Sequence, residues 1–236
     1  MSSVLIVLSA ATRWTQADGS QRPTGYWAEE FVEPHRAFTA AGLDISLATP
    51  GGRAPTVDEL SLAPEANNGD TAKVADLRAY LESGSVQDLL TSPRRLEDVV
   101  PGDFDAVLIP GGHGPMQDLA VNEDLGRLLE TALPDTSKVV AAVCHGQAGL
   151  LSAGSAESWL FEGRSLTAFS DEEETMTGLA ANAAWLLESR LRAAGADYSK
   201  GPAWSPHVVV DGNLVTGQNP ASAGPAAEAV LKLLAV

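Results

Sequence analysis

A chain of 236 residues with a single cysteine can do thiolate chemistry at one place only. That cysteine, Cys144, stands where an apolar run gives way to glycine and alanine in Lys138-Val-Val-Ala-Ala-Val-Cys-His-Gly-Gln-Ala-Gly-Leu150. Residues 139–143 are the kind of uninterrupted apolar segment that a parallel sheet covers on both faces. Gly146 and the small residues after it permit a tight turn into a helix. The spacing therefore predicts a nucleophile elbow, with the sulfur lifted above the sheet at a helix N-terminus whose dipole and amides would lower the thiol pKa. An unreactive buried thiol fits the same segment, since free cysteine is among the most buried residue types.

A thiolate that reacts needs an oxyanion site and a group that handles the substrate proton. Gly111-Gly-His-Gly-Pro115 follows an apolar run at the end of a strand, where open α/β sheets bind ligands, and reads as an oxyanion loop or as a plain turn. In Gly25-Tyr-Trp-Ala-Glu-Glu-Phe-Val-Glu-Pro-His-Arg-Ala-Phe38, helix geometry puts Trp27, Phe31, Pro34 and Phe38 on one face, which must be buried. Glu29 and Glu33 project away from that stripe, while Glu30 lies on its margin. Partial desolvation would raise the Glu30 pKa and suit it to move a proton beside a thiolate; a surface glutamate bordering a core stripe has the same spacing.

His145 follows Cys144 directly, so its ring reaches back across the turn less easily than a residue from another strand would, while its backbone amide sits where a second oxyanion donor would be; either could serve the site. Ser170-Asp-Glu-Glu-Glu174 has Ser170 and Glu173 at capping-box spacing, which explains most of the acidic run as a helix start. It leaves open a carboxylate that orients His145. The four histidines, His35, His113, His145 and His207, show no paired spacing and no CxxC occurs, so no metal and no cofactor are expected. No phosphate-binding glycine motif is present either.

The elements that must position these groups alternate. Strand patterns at residues 4–8, 43–48, 105–110 and 139–143 are separated by helical patterns, which predicts a doubly wound, flavodoxin-like α/β fold with a mostly parallel sheet and helices on both faces. Residues 208–216 read as two short strands across an Asp-Gly turn, and residues 221–234 as a terminal amphipathic helix. Residues 53–102 break the alternation with Pro55, Pro64 and Pro93 and contain helical patterns at 72–81 and 87–90. They read as a helical insertion on the sheet edge, within one domain spanning residues 1–236.

A formal charge of −16 with scattered lysines and arginines argues against nucleic acid as a partner. The Arg94-Arg95 pair reads as solvated surface. No apolar stretch has the length of a membrane span. Residues 1–10 are apolar but lack a basic flank and a cleavage site, so they read as a first strand and not as a signal peptide. With one cysteine, a cytoplasmic location is expected.

The chain resembles the PfpI superfamily of class I glutamine amidotransferase-like proteins, within it the glyoxalase III and heat-shock chaperone branch. The resemblance rests on Thr24-Gly25 with Glu30 and Pro34, on Leu108-Ile-Pro-Gly-Gly-His-Gly114, on Ala141-Ala-Val-Cys-His-Gly146 and on Leu214-Val-Thr-Gly-Gln-Asn-Pro-Ala-Ser-Ala223. It implies Cys144 as nucleophile, His145 beside it, Glu30 as the acid/base carboxylate and Glu174 as the acid paired with the histidine, with Asp171 as the alternative. Gly112 and the His145 amide would form the oxyanion site, with His113 and Gly25 beside them toward substrate. Gln147 stands where many relatives have proline, at little expected cost.

The implied activity is that of a glutathione-independent glyoxalase, a lyase of the D-lactate dehydratase type acting on methylglyoxal or related 2-oxoaldehydes. Protein deglycation could use the same site. An amide hydrolase of glutaminase or peptidase type and a holdase chaperone are the other readings. A homodimer is expected from the resemblance.

Overall fold

The computed structural model describes residues 2–155 and 158–236; Met1, which heads the apolar opening segment, lies outside them. Seven strands make the central sheet: β1 Ser3–Val7, β2 Asp44–Thr49, β3 Arg94–Arg95, β4 Ala106–Ile109, β5 Val139–Val143, β6 Val208–Asp211 and β7 Leu214–Gly217. Their order across the sheet is β6-β7-β5-β4-β1-β2-β3, and only the β6-β7 pair is antiparallel. This is the expected mostly parallel α/β sheet.

The apolar runs have a simple cause. Neighbouring residues of one strand enter opposite halves of the core: Leu5, Val7, Val107, Ile109, Val140 and Ala142 face one cluster, Val4, Ile6, Leu108, Val139, Ala141 and Val143 the other. Because side chains alternate across a strand, two buried faces require apolar residues at every position. The helices Ala28–Ala40 and Ala223–Leu233 cover one face, and Glu123–Ala132 covers the other through Leu125, Leu128 and Leu129.

The 53–102 segment contains helices Thr71–Leu81 and Gly84–Thr91, and then adds β3 to the sheet, with Ala48 opposite Arg94. Arg94 and Arg95 are thus both exposed and part of the outermost strand, where two positive side chains discourage pairing with another chain. Among the elements without a signal in the sequence, Arg13–Thr15 and Gln21–Pro23 form a short antiparallel hairpin. Three-residue strands are too short to show a period of two.

Candidate active site

At the end of β5 the chain turns so sharply that Cys144 takes a left-handed backbone, with φ at 63°. For a residue other than glycine this conformation costs about 1–3 kcal/mol, so the surroundings must hold it there. They do so by close packing. A Cβ on Gly146 would lie 2.0 Å from the Ile109 carbonyl oxygen, and one on Gly111 would lie 2.6 Å from the His145 amide nitrogen. The loop after β4 and the turn after β5 are pressed together where only glycine fits. From the turn the chain runs on as a 3-10 helix over Cys144–Ser152.

Gln147 helps hold the turn. It is fully buried, and its Nε2 donates to the carbonyl oxygens of Ala142, Thr167 and Gly217 at 2.8–3.1 Å. A residue expected only to be tolerated here ties three segments behind the thiol.

Glu30 is more deeply placed than its marginal position on the stripe suggested: it is fully buried, and its Oε2 accepts a 2.7 Å hydrogen bond from the Gly111 amide. Among the described residues its Oε1 has no hydrogen-bond partner. Burial pushes the Glu30 carboxyl up to about 8, against the opposing pull of the Cys144 thiol and the Gly111 amide. Glu29, one residue earlier, points elsewhere and pairs with Lys73 at 2.7 Å. Trp27, assigned to the buried face, is instead half-buried at the residue before the helix and lines the cavity above the thiol.

The thiol itself departs from expectation. Burial, followed by the negative charge of Glu30, pushes the Cys144 pKa well above the ordinary thiol range, and the His145 backbone amide only partly opposes them. The predicted depression is absent because a 3% exposed sulfur beside a carboxylate loses more from lost hydration than a nearby amide returns. The thiol and the Glu30 carboxyl both favour the protonated form, so a thiolate forms when the sulfur proton is passed on, not as a free resting anion.

The His145 ring does reach back to the sulfur: its Nδ1 lies 3.3 Å from Cys144 Sγ. Its Nε2 is 2.7 Å from Glu174 Oε2, and the other carboxyl oxygen of Glu174 is 2.9 Å from His113 Nε2. Glu174 thus joins two histidines. Burial alone would raise its pKa, but His145 and His113 outweigh it and hold the carboxyl well below the ordinary carboxylate range. Asp171, the alternative, faces away and accepts a hydrogen bond from Ser189.

His113 therefore presents its ring nitrogen to Glu174. Burial and the nearby His145 push its pKa down to about 4, which keeps it neutral near pH 7. Trp14 of the hairpin stacks on His113 at 4.4 Å between ring centroids, His113 lies 4.2 Å from His145, and His145 lies 4.5 Å from Phe169. Spacing along the chain hid this meeting of ligand-type side chains: atoms of His113, His145 and Glu174 lie within 4.8 Å of one another. Both imidazole Nε2 atoms already face the Glu174 oxygens.

Gly112, with φ at 87°, borders the cavity, and a Cβ there would meet the Gly25 carbonyl oxygen at 2.2 Å. Gly25 packs beneath that loop and against Thr56 and is not part of the cavity wall. The Gly111 amide is occupied by Glu30, which leaves the Gly112 and His145 amides as the oxyanion candidates. The cavity measures about 100 Å³ and its wall is largely apolar, with Trp27, Phe169 and Trp204 among the residues around Cys144.

Glu173, named from sequence only as a capping residue, forms the expected capping box and does more. It is fully buried and also accepts from the Trp204 amide, Gln218 Nε2 and Asn219 Nδ2 at 2.8–3.0 Å. It ties the helix carrying Glu174 to the Gln218-Asn219 motif.

A family model described as the DJ-1/PfpI family matches residues 24–233. The glutamine amidotransferase-like class 1 domain-containing protein 1 of Bos taurus is 34% identical, with 89% of this chain and 88% of that protein covered. The glutathione-independent glyoxalase HSP31 of Saccharomyces cerevisiae is 31% identical over 93% of this chain and 92% of its own. Among solved structures, glyoxalase III of Candida albicans superposes with a TM-score of 0.77 at 26% identity, covering 98% and 97% of the two chains.

Proposed function

The chain belongs to the DJ-1/PfpI family, and from that premise we propose that it is a cofactor-independent, glyoxalase III-type enzyme converting methylglyoxal or a related 2-oxoaldehyde to a hydroxyacid. The relatives named as glyoxalases support this reaction class. The observation that carries the reading onto this chain is the pair formed by a buried thiol and a buried carboxyl of raised pKa, with an imidazole 3.3 Å from the sulfur.

Each step uses one of those groups. In the ionised form of Glu30, Cys144 Sγ adds to the aldehyde carbon while its proton passes to the Glu30 carboxylate and on to the aldehyde oxygen, giving a hemithioacetal. The Gly112 and His145 amides stabilise the negative charge on that oxygen. Glu30, again a carboxylate, takes the proton from C1 and returns it to C2 through an enediolate while the C1 hydroxyl proton passes to the C2 oxygen, leaving a 2-hydroxy thioester. Water then cleaves the thioester, restoring the thiol and releasing the hydroxyacid, so the net change is addition of one water.

A Glu30 pKa near 8 suits this work, because a base efficient at both taking and returning a proton titrates near the working pH. Glu174 holds the His145 ring in place through the 2.7 Å contact at its Nε2. Deglycation of adducts at the same thiol, a single domain over residues 1–236, a cytoplasmic location and a homodimer belong to the proposal. They rest on the family resemblance and, for the location, on the single cysteine. Among the described residues no helix is long and apolar enough to cross a membrane.

The test is consumption of methylglyoxal by purified protein without added thiol, with lactate read by a chiral assay. Turnover should occur without glutathione and vanish in Cys144→Ala. Turnover that survives loss of the thiol, or that requires glutathione, would overturn the reading.

A further inference from the structure

The short hairpin that left no signal in the sequence delivers two side chains to the site. Trp14 backs His113, and Arg22, from the second strand, lines the cavity above Cys144. Among the residues lining that wall, Arg22 is the only arginine or lysine. It also borders a second, larger cleft of about 360 Å³, between Thr12, Thr24 and the 56–60 segment.

Arg22 is poorly paired for a residue so placed. Its side chain is 20% exposed, and the nearest carboxylate oxygen, of Asp58, is 3.7 Å away, beyond hydrogen-bonding distance. Among the described residues its one hydrogen bond is a 3.4 Å contact to the Pro23 carbonyl oxygen. Asp58 is committed elsewhere, accepting from Thr24 Oγ1 and the Leu60 amide, while Glu59 beside it pairs with Arg78 at 3.2 Å. By contrast, Arg164, Arg36 and Arg192 hold carboxylates at 2.7–2.9 Å.

A guanidinium carries five N–H donors in a fork that matches a carboxylate. Among the described residues Arg22 leaves most of them without a protein partner, beside a cavity whose other walls are largely apolar. In a chain of net charge −16 an anion is repelled unless a local positive group reverses the field. The charge is felt at the site, where it helps depress the His113 pKa.

We propose that Arg22 binds the carboxylate of small 2-hydroxy acids, so that the cavity holds the product of the reaction as well as its aldehyde. The identity of the acid rests on the glyoxalase reading; the anion site itself rests on the unfilled guanidinium. An uncharged 2-oxoaldehyde gives Arg22 no anionic partner. The carboxylate appears only when water cleaves the thioester, and Arg22 then holds the product and limits its release.

The experiment uses the full chain carrying Cys144→Ser, which cannot complete the thiol chemistry, titrated calorimetrically with lactate and with lactamide. Lactate should bind and lactamide, which has the same shape without the charge, should bind at least tenfold more weakly. Arg22→Gln should weaken lactate at least tenfold, Arg22→Lys should retain part of the affinity, and Arg13→Gln on the same hairpin should change nothing. Equal binding of lactate and lactamide, absence of lactate binding, or lactate affinity indifferent to Arg22→Gln overturns the proposal. Turnover of methylglyoxal by the wild type, measured separately, keeps the two readings apart. An active enzyme without Arg22-dependent lactate binding sinks only the anion site, and an inactive protein that binds lactate through Arg22 sinks only the glyoxalase.

Discussion

Glu30 and Glu174 are the same side chain, both nearly sealed from solvent and both beside the Cys144-His145 turn, yet their protons behave in opposite ways. Glu30 meets one backbone amide and a thiol, too little to repay lost hydration, and its pKa rises to about 8. Glu174 meets two imidazoles, and its carboxyl stays ionised far into acid. Burial does not set the sign of a pKa shift; the partners do. One region of the site is built to move a proton and the other to hold a charge still.

The largest test of this contrast is Glu30→Gln. Removing the proton carrier should lower turnover on methylglyoxal about 10²–10⁴-fold with circular dichroism unchanged, while Glu29→Gln, whose side chain faces Lys73, should have little effect. In the wild type kcat/KM should rise as pH passes through about 8, where the Glu30 carboxylate appears. A flat profile in that range breaks the assignment of Glu30 as the base.

A smaller effect belongs to Glu174→Gln. Losing a group that only orients an imidazole should cost less than losing the proton carrier, with Glu172→Gln near neutral because Glu172 pairs with Lys200 at the surface. If Glu174→Gln equals Glu30→Gln in size, the division between moving and holding fails.

The smallest effect sharpens the comparison, because the two variants should shift stability with opposite pH slopes. The folded-state pKa of Glu30 is raised, so the wild type loses stability as pH climbs from the unfolded value of about 4.5 to about 8. Glu30→Gln should therefore gain on the wild type across that window. The folded-state pKa of Glu174 is depressed, so its stabilisation is present above about 4.5 and is lost as pH falls below it. Glu174→Gln should be less stable at neutral pH by about 1–3 kcal/mol, a deficit that shrinks in acid. Thermal melts from pH 2 to 9 check both; parallel slopes would contradict the contrast.

The features legible in the sequence were those that depend on neighbours along the chain. Helix periodicity separated Glu30 from Glu29 and Glu33, the apolar run located the turn at Cys144, and capping spacing located Ser170 and Glu173. The rest depends on loops meeting in space. His113 lies 61 residues from Glu174, and no periodicity links them. The hairpin carrying Trp14 and Arg22 was too short to leave a pattern, and Gln147 looked like a harmless replacement because its partners belong to three separate segments. The low thiol pKa expected from a helix dipole failed because the dipole argument leaves out what the sulfur loses by being buried beside Glu30.

The hub at Glu173 sets an order in time. Its amide partners Gln218 and Asn219 lie near the far end of the chain, and β7, which flanks the Cys144 strand, ends at Gly217. On a ribosome that releases the N-terminal part first, Cys144 emerges long before the residues that lock its surroundings. A nascent chain therefore displays its one thiol in the open, exposed to oxidants and alkylating metabolites, until the last strand and helix close over the sheet. Synthesis, more than the mature fold, is the interval in which this cysteine is most easily lost.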